Sequence, residues 1–161
     1  MGAGILGTTE AGLSQPVDEV LRATGVVFAY PQDHPSPTRL RPVSLSVQRG
    51  EGVLITGQSG CGKSTLARCL TGIIPHLYRG QFSGQVVLSG KCTDQAWLWE
   101  LSERAGMVFQ NPAAQMLAAT VEDEIIFGLE NLGLPVPEIG RRMQESLQQF
   151  GLLELRQRNP Q

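Results

Sequence analysis

Gly57-Gln58-Ser59-Gly60-Cys61-Gly62-Lys63-Ser64-Thr65 is the stretch from which the rest of this chain is read. It matches the pattern G-x-x-x-x-G-K-[ST], and each residue type in it has a physical task. Gly57, Gly60 and Gly62 reach backbone angles closed to residues with a Cβ, and they leave room for phosphate oxygens. The successive N–H groups of the loop, from Gln58 through Cys61, form an anion nest. A helix expected from about Lys63 points its N-terminal dipole, with Ser64 and Thr65 in its first turn, at the same place. The pattern implies binding of the phosphates of a nucleoside triphosphate. Lys63 reaches the outer phosphates and the Ser64 hydroxyl holds Mg²⁺. A purely structural Gly-rich turn is the competing reading. It fits the context less well, because the apolar run Val53–Thr56 leads in and a helical pattern leads out.

Outward from this loop the chain alternates strand and helix signals. Val53 to Thr56 reads as a short buried strand, and Leu66, Ala67 and Leu70 as the inner face of a helix to Thr71. Gly72 and Pro75 end that helix. Upstream, Leu21 to Tyr30 and Val43 to Val47 read as strands, with the prolines of residues 31–42 making a stiff loop between them. Residues 1–20 read as a loose leader. Downstream, Gln85 to Leu88 and Gly106 to Phe109 are strand-like, and Ala96 to Glu103 is a short helix. The last third is helical. Thr120 and Asp123 make a capping-box variant ahead of the stripe Val121, Ile125, Leu129, Leu132. Pro137 opens a second helix with the stripe Ile139, Met143, Leu147, Phe150. Mixed strands and helices give an α/β class with a partly parallel sheet.

Composition narrows the possibilities. The chain has 161 residues and a net charge of −2, which implies no broad basic surface and no nucleic-acid partner. Its three cysteines, Cys61, Cys69 and Cys92, form neither a disulfide framework nor a zinc pattern, and a reducing setting suits them. No apolar run is long enough for a membrane span. His34 and His76 stand alone in loop-like contexts with no ligand spacing, so neither is expected to bind metal or catalyse. Trp97 and Trp99 are expected to be packing or partly exposed residues. Cys61 contributes its backbone to the loop.

Further motifs flank the loop: Phe28-Ala29-Tyr30, Val43-Ser-Leu-Ser-Val47 with Arg49-Gly-Glu51, Val108-Phe-Gln-Asn-Pro112, Thr120-Val-Glu-Asp-Glu124 and Phe127-Gly-Leu-Glu-Asn131. Together they resemble the ATP-binding cassette (ABC) ATPases over residues 21–161, most closely the ATPase subunits of energy-coupling-factor importers. The resemblance implies a P-loop NTPase fold, a RecA-like core with an antiparallel β subdomain, truncated within the helical subdomain. It implies ATP and Mg²⁺ as ligands, and Tyr30 as the aromatic that stacks on adenine. It implies that Gln110, with Lys63, serves catalysis, the Gln110 amide helping to hold Mg²⁺ and the attacking water. The implied partners are a second ABC ATPase domain, on the same or a separate chain, and a transmembrane transporter subunit. The implied location is cytoplasmic, peripheral on the inner face of the cell membrane, with a vitamin or metal ion as cargo.

The same resemblance implies more of a cassette than is found here: a signature that grips the ATP of the opposite subunit, an acidic pair for Mg²⁺ and the lytic water, and a later His. Gly151 to Pro160 is similar to the segment just before the signature, so the chain is expected to be the front part of a cassette. Two alternatives stand beside the importer reading: a soluble ABC ATPase outside transport, and a non-catalytic nucleotide-binding fragment. Phosphoryl transfer needs several charges positioned at once. The isolated 161-residue polypeptide is therefore expected to hydrolyse ATP negligibly. A phosphate-release assay giving turnover above that of a Lys63→Ala control contradicts this expectation.

Overall fold

Along Glu19–Ala29 the buried positions are Ala23, Val26 and Phe28, so the alternation changes phase between Ala23 and Val26. A β-bulge accounts for the change. This strand, β1 (Glu19–Ala29), pairs antiparallel with β3 (Gln81–Leu88), Thr24 opposite Gln85 and Val27 opposite Ser83. Gly25 and Val26 thus stand against the single residue Gly84, and the extra residue moves Val26 and Phe28 onto the face that Ala23 occupies. The two backbones approach closely there. A Cβ on Gly84, whose φ is +90°, would lie 2.4 Å from the Gly25 carbonyl oxygen.

The computed structural model describes residues 18–33 and 39–161, in two compact units that meet at Met107/Val108. The expected leader, up to residue 17, and His34 lie outside the described residues. In the first unit β2 (Arg39–Gln48) and β4 (Lys91–Cys92) complete an antiparallel sheet of order β2-β1-β3-β4. The strand expected from Leu21 starts at Glu19, those expected from Val43 and Gln85 start at Arg39 and Gln81. Pro42, expected in a loop, lies inside β2. It is tolerated because β2 is an edge strand, where a missing N–H need not break a ladder.

Helix α1 (Lys63–Leu70) packs on β1 and β3. Leu66 and Cys69 enter the core with Phe28, Leu40, Ile74 and Val86. Thr65 is buried too, whereas Ala67 and Leu70, expected on the inner face, are half-buried. After Gly72 come a short turn of helix, α2 (Ile73–His76), and later α3 (Leu98–Ser102). Gly72, at φ +77°, lies against Leu101, whose Cδ1 would be 2.4 Å from an added Cβ. The His76 Nε2–H donates to the Thr93 carbonyl at 2.7 Å, which makes it a structural tie between α2 and the turn after β4. Trp97 and Trp99 are both exposed.

Two expected strands do not form. Val53–Thr56 carries no ladder, and Val53, Leu54 and Ile55 are exposed, Leu54 by 86%. Gly106–Phe109 is likewise irregular, with Val108 exposed. The reason is physical: a strand exists through its neighbour's N–H and C=O groups, and no described segment pairs with either run. The described strand pairs are all antiparallel, so the parallel pairing expected of the sheet is not among them.

The second unit is a helical hairpin, α4 (Val121–Asn131) against α5 (Val136–Gln149). The Thr120 hydroxyl accepts from the Asp123 N–H at 3.1 Å and donates to its carboxylate at 2.7 Å, the capping variant expected there. Met143 and Leu147 are buried, whereas Leu132 and Phe150, expected on the stripes, are exposed. The start of α4 is tied to the C-terminal segment. The Val121 and Glu122 N–H groups donate to the carbonyls of Arg158 and Arg156, both at 3.0 Å. The Glu122 carboxylate accepts from Arg156 and Gln157, and the Arg156 hydrogen bond holds its pKa below the usual carboxylate range.

Gly84→Ala is expected to destabilise the first unit by about 2 kcal/mol or more, because both φ and the Gly25 carbonyl oppose a Cβ. Gly90→Ala, at φ +81° with nothing within 4 Å, should cost only the ~1 kcal/mol of a left-handed backbone. Urea titrations of the two variants read the difference, and equal losses would remove the bulge argument.

Candidate functional site: the phosphate loop

The loop expected to hold phosphate is built between an exposed lead-in and a buried helix. Residues 51–61 are exposed throughout, while Gly62, Thr65 and Leu66 are buried. Gly57, Gly60 and Gly62 take φ values of +152°, +78° and +100°, the positive-φ angles the motif requires. An added Cβ on Gly57 would meet the Cys61 Sγ at 2.8 Å, and one on Gly62 would meet the Leu40 Cδ1 at 3.3 Å. The backbone angle favours glycine at both positions, and a larger residue would also require the Cys61 sulfur to shift or the Leu40 methyl to give way slightly.

Lys63 closes the loop on itself. Its ammonium donates to the carbonyls of Gly57 and Gln58 at 2.8 and 2.9 Å and lies 3.7 Å from the Cys61 Sγ. The Cys61 N–H donates to the Gln58 carbonyl at 3.3 Å, a further turn within the loop. Gly62 is the N-cap of α1, no side chain caps the helix, and its first turn holds no acidic residue. The first intrahelical bond is Leu66 N–H to the Gly62 carbonyl at 2.8 Å. The N–H groups of Lys63, Ser64 and Thr65 therefore precede the intrahelical ladder, as the first donors of any helix do. A lysine ammonium, a helix N-terminus without acidic side chains and a glycine-lined cradle suit a polyphosphate. Ser64 is exposed at this end of the helix.

Two other predicted site residues lie elsewhere. Tyr30, at the end of β1, is half-buried. Its ring meets Phe28 edge-on at 4.8 Å and Tyr78 at 6.2 Å, and its hydroxyl accepts from the Arg68 guanidinium at 3.2 Å. Arg68 belongs to α1, so the helix that follows the loop also touches Tyr30. Gln110 is exposed and belongs to the second unit, just before a 3-10 turn at Pro112–Gln115. Sequence reading does not single out Arg68 or Tyr78, because contacts across 38 residues carry no periodic signal. Among the described residues no group of three or more His, Cys, Asp or Glu could hold a metal ion.

With this geometry in view, the model of the ABC transporter family matches residues 40–161. The chain belongs to the ABC transporter family. It covers the N-terminal part of the ATP-binding cassette, a P-loop NTPase. It is 41% identical over 147 residues to a putative ABC transporter ATP-binding protein of Methanosarcina mazei, covering 89% of this chain and 24% of that relative. It is 43% identical over 133 residues to the energy-coupling factor transporter ATP-binding protein EcfA1 of Streptococcus thermophilus, covering 83% of this chain and 46% of the relative. The chain thus spans about a quarter to a half the length of these curated relatives. A dimeric ATP-binding cassette in a post-hydrolysis state, bound to ADP and Pi, shares the fold. It has a TM-score of 0.65 at 22% identity, over 87% of this chain and 61% of that one.

The cassette's cysteines differ sharply in chemistry. Cys61 is exposed in the phosphate loop. Cys69 is buried, and burial pushes its thiol up to about 12. At pH 8 that leaves roughly one part in ten thousand as thiolate, the reactive form. Iodoacetamide at pH 8 should therefore label Cys61 in the folded chain and Cys69 only after denaturation, as read by peptide mass mapping. Early labelling of Cys69 would contradict the burial of α1 against the sheet.

Proposed function

We propose that this chain is the nucleotide-binding part of an energy-coupling-factor-type importer ATPase, which couples ATP binding and hydrolysis to uptake of a vitamin or metal ion through a membrane partner. The observation that carries the reading is the Lys63 ammonium held on the Gly57 and Gln58 carbonyls at the N-terminus of α1. That lysine both shapes the cradle and brings positive charge to it, which a structural Gly-rich turn does not need. The likeness to EcfA1 over 83% of the chain supports the importer type.

In this reading the residues of the loop, Gly57 to Thr65, hold the triphosphate through backbone N–H groups and Lys63, and Tyr30 stacks on the base. Mg²⁺ would be held by the Ser64 hydroxyl together with phosphate oxygens, the usual arrangement for an ion that keeps few protein ligands, and it would neutralise phosphate charge. Gln110 would supply an amide to the ion and the attacking water. A second ATPase domain and a transmembrane subunit complete the assembly, with the chain peripheral on the inner face of the membrane. No helix among the described residues is long and apolar enough to cross a membrane.

Lys63→Ala should weaken ATP binding by about 10- to 100-fold, the loss of a charge-assisted contact, read by isothermal titration with Mg²⁺ present. An unchanged affinity would remove the nucleotide reading. Affinity purification of the full-length protein from membranes then tests the importer type. Co-purification of a transmembrane protein supports it, and recovery of ribosomes or DNA without one overturns it.

A further inference from the structure

Around Tyr30 the first unit builds more than a ring at a strand end. Phe28 is fully buried, and its ring meets Tyr30 edge-on at 4.8 Å, rooting the tyrosine in the core. Tyr78, which follows α2, meets Tyr30 edge-on at 6.2 Å. Arg68 bridges the two tyrosines. Its guanidinium lies 4.9 Å from the Tyr78 ring centroid, and one of its terminal N–H groups donates to the Tyr30 hydroxyl at 3.2 Å. The Arg68 Nε is buried and has no hydrogen-bond partner. An arginine that gives up one donor to reach this place has its position set by the two rings. The planar guanidinium makes both contacts at once, the cation–π contact with Tyr78 and the hydrogen bond to Tyr30.

We infer that Arg68, seated on Tyr78, is a positioning residue for the nucleotide base: it fixes the orientation of the Tyr30 ring, and with it the affinity for the base but not for the phosphates. The inference rests on the proposed role of Tyr30 in stacking. A tyrosine at a strand end can turn about two side-chain torsions, and a stacking platform loses affinity with every orientation in which its face is not presented. Beside the Phe28 and Tyr78 ring contacts, the bond to Arg68 narrows that freedom before the base arrives. Lys63 and Arg68 also stand on one helix, five residues apart, or about 7.5 Å along its axis. A single rigid element therefore carries the cation for the phosphates and the tether for the base platform.

The test compares binding of ATP with binding of inorganic tripolyphosphate, which has the phosphates and no base. Four variants of the chain are needed: Tyr30→Ala, Tyr30→Phe, Arg68→Met and the double variant Tyr30→Phe/Arg68→Met. Tyr30→Ala should weaken ATP and spare tripolyphosphate. Arg68→Met and Tyr30→Phe each remove the same hydrogen bond, from opposite sides. Each should weaken ATP by roughly three- to tenfold and leave tripolyphosphate within about twofold. The double variant should be no weaker than either single one, since the bond can be lost only once.

A Tyr30→Ala variant that binds ATP as the parent does removes the stacking role, and this inference with it. A selective loss in Tyr30→Ala with none in Tyr30→Phe and Arg68→Met leaves stacking in place and overturns the tether alone. Equal losses for both ligands in Arg68→Met overturn it as well, because they mark a general weakening of α1. Should Arg68→Met fail to fold, Tyr30→Phe decides the question, since it leaves the arginine and its packing intact.

Discussion

The bond from the Lys63 ammonium to the Gly57 and Gln58 carbonyls is the constraint on which the site depends. Two carbonyl oxygens aimed at one point repel each other unless a cation lies between them. The lysine meets that need and ties the first residues of the loop to the first residue of α1. The loop then has few ways to close, and the positive φ values at Gly57, Gly60 and Gly62 are what that closure asks of the backbone. Behind it, Leu66 and Cys69 are packed among Phe28, Leu40 and Val86, so the helix cannot shift without opening the core. The exposed loop therefore derives its shape from a cation and its position from buried side chains, and little of its own surface is buried. Such a division suits a segment that must exchange solvent for a ligand while its support stays fixed.

What was legible in the sequence follows the range of the interactions involved. The loop, its glycines and the start of α1 at Lys63 are local, and the motif states them directly. The caps of the second unit are local too, and Thr120, Asp123 and Pro137 stand where their chemistry places them. Pro42 misleads, because a proline reads as a loop until the strand that contains it is known to be an edge. Val53 to Ile55 misleads in the opposite direction. An apolar run of β-branched and leucine residues has the composition of a buried strand, yet burial and ladder both belong to a neighbour. These residues instead line an apolar groove of about 340 Å³ together with Leu40, Val43, Leu45 and Leu66.

Long-range contacts were not legible at all. The bulge that sets Gly25 and Val26 against Gly84 depends on the partner strand. Neither glycine announces it, although the phase change between Ala23 and Val26 is its trace in the burial pattern. The same holds for Glu122, which reads as one more acidic residue in the first turn of a helix and favours the dipole there. The structure gives it a second task, gripping Arg156 and Gln157 some 34 residues away. Together with the Val121 and Glu122 backbone bonds to that segment, the carboxylate turns a two-helix hairpin into a closed unit.

The environment of Tyr30 joins these levels. Phe28 lies in β1 and Tyr30 just beyond its end, two residues on, so the period of the strand, if continued, would send both rings to the same face. One of them is fully buried and the other half-buried, because the chain leaves the sheet at Ala29. The buried ring and the half-buried one meet in a T-shaped contact. Arg68 arrives from α1 at the height that the packing of Leu66 and Cys69 dictates, on the same helix that opens with Lys63. A substitution that loosened Leu66 would thus act on the lysine and on the Arg68–Tyr30 bond together. The core beneath the loop thus couples Lys63 and the Arg68–Tyr30 pair through one helix, and in the proposed reading these are the groups that meet the two ends of the nucleotide.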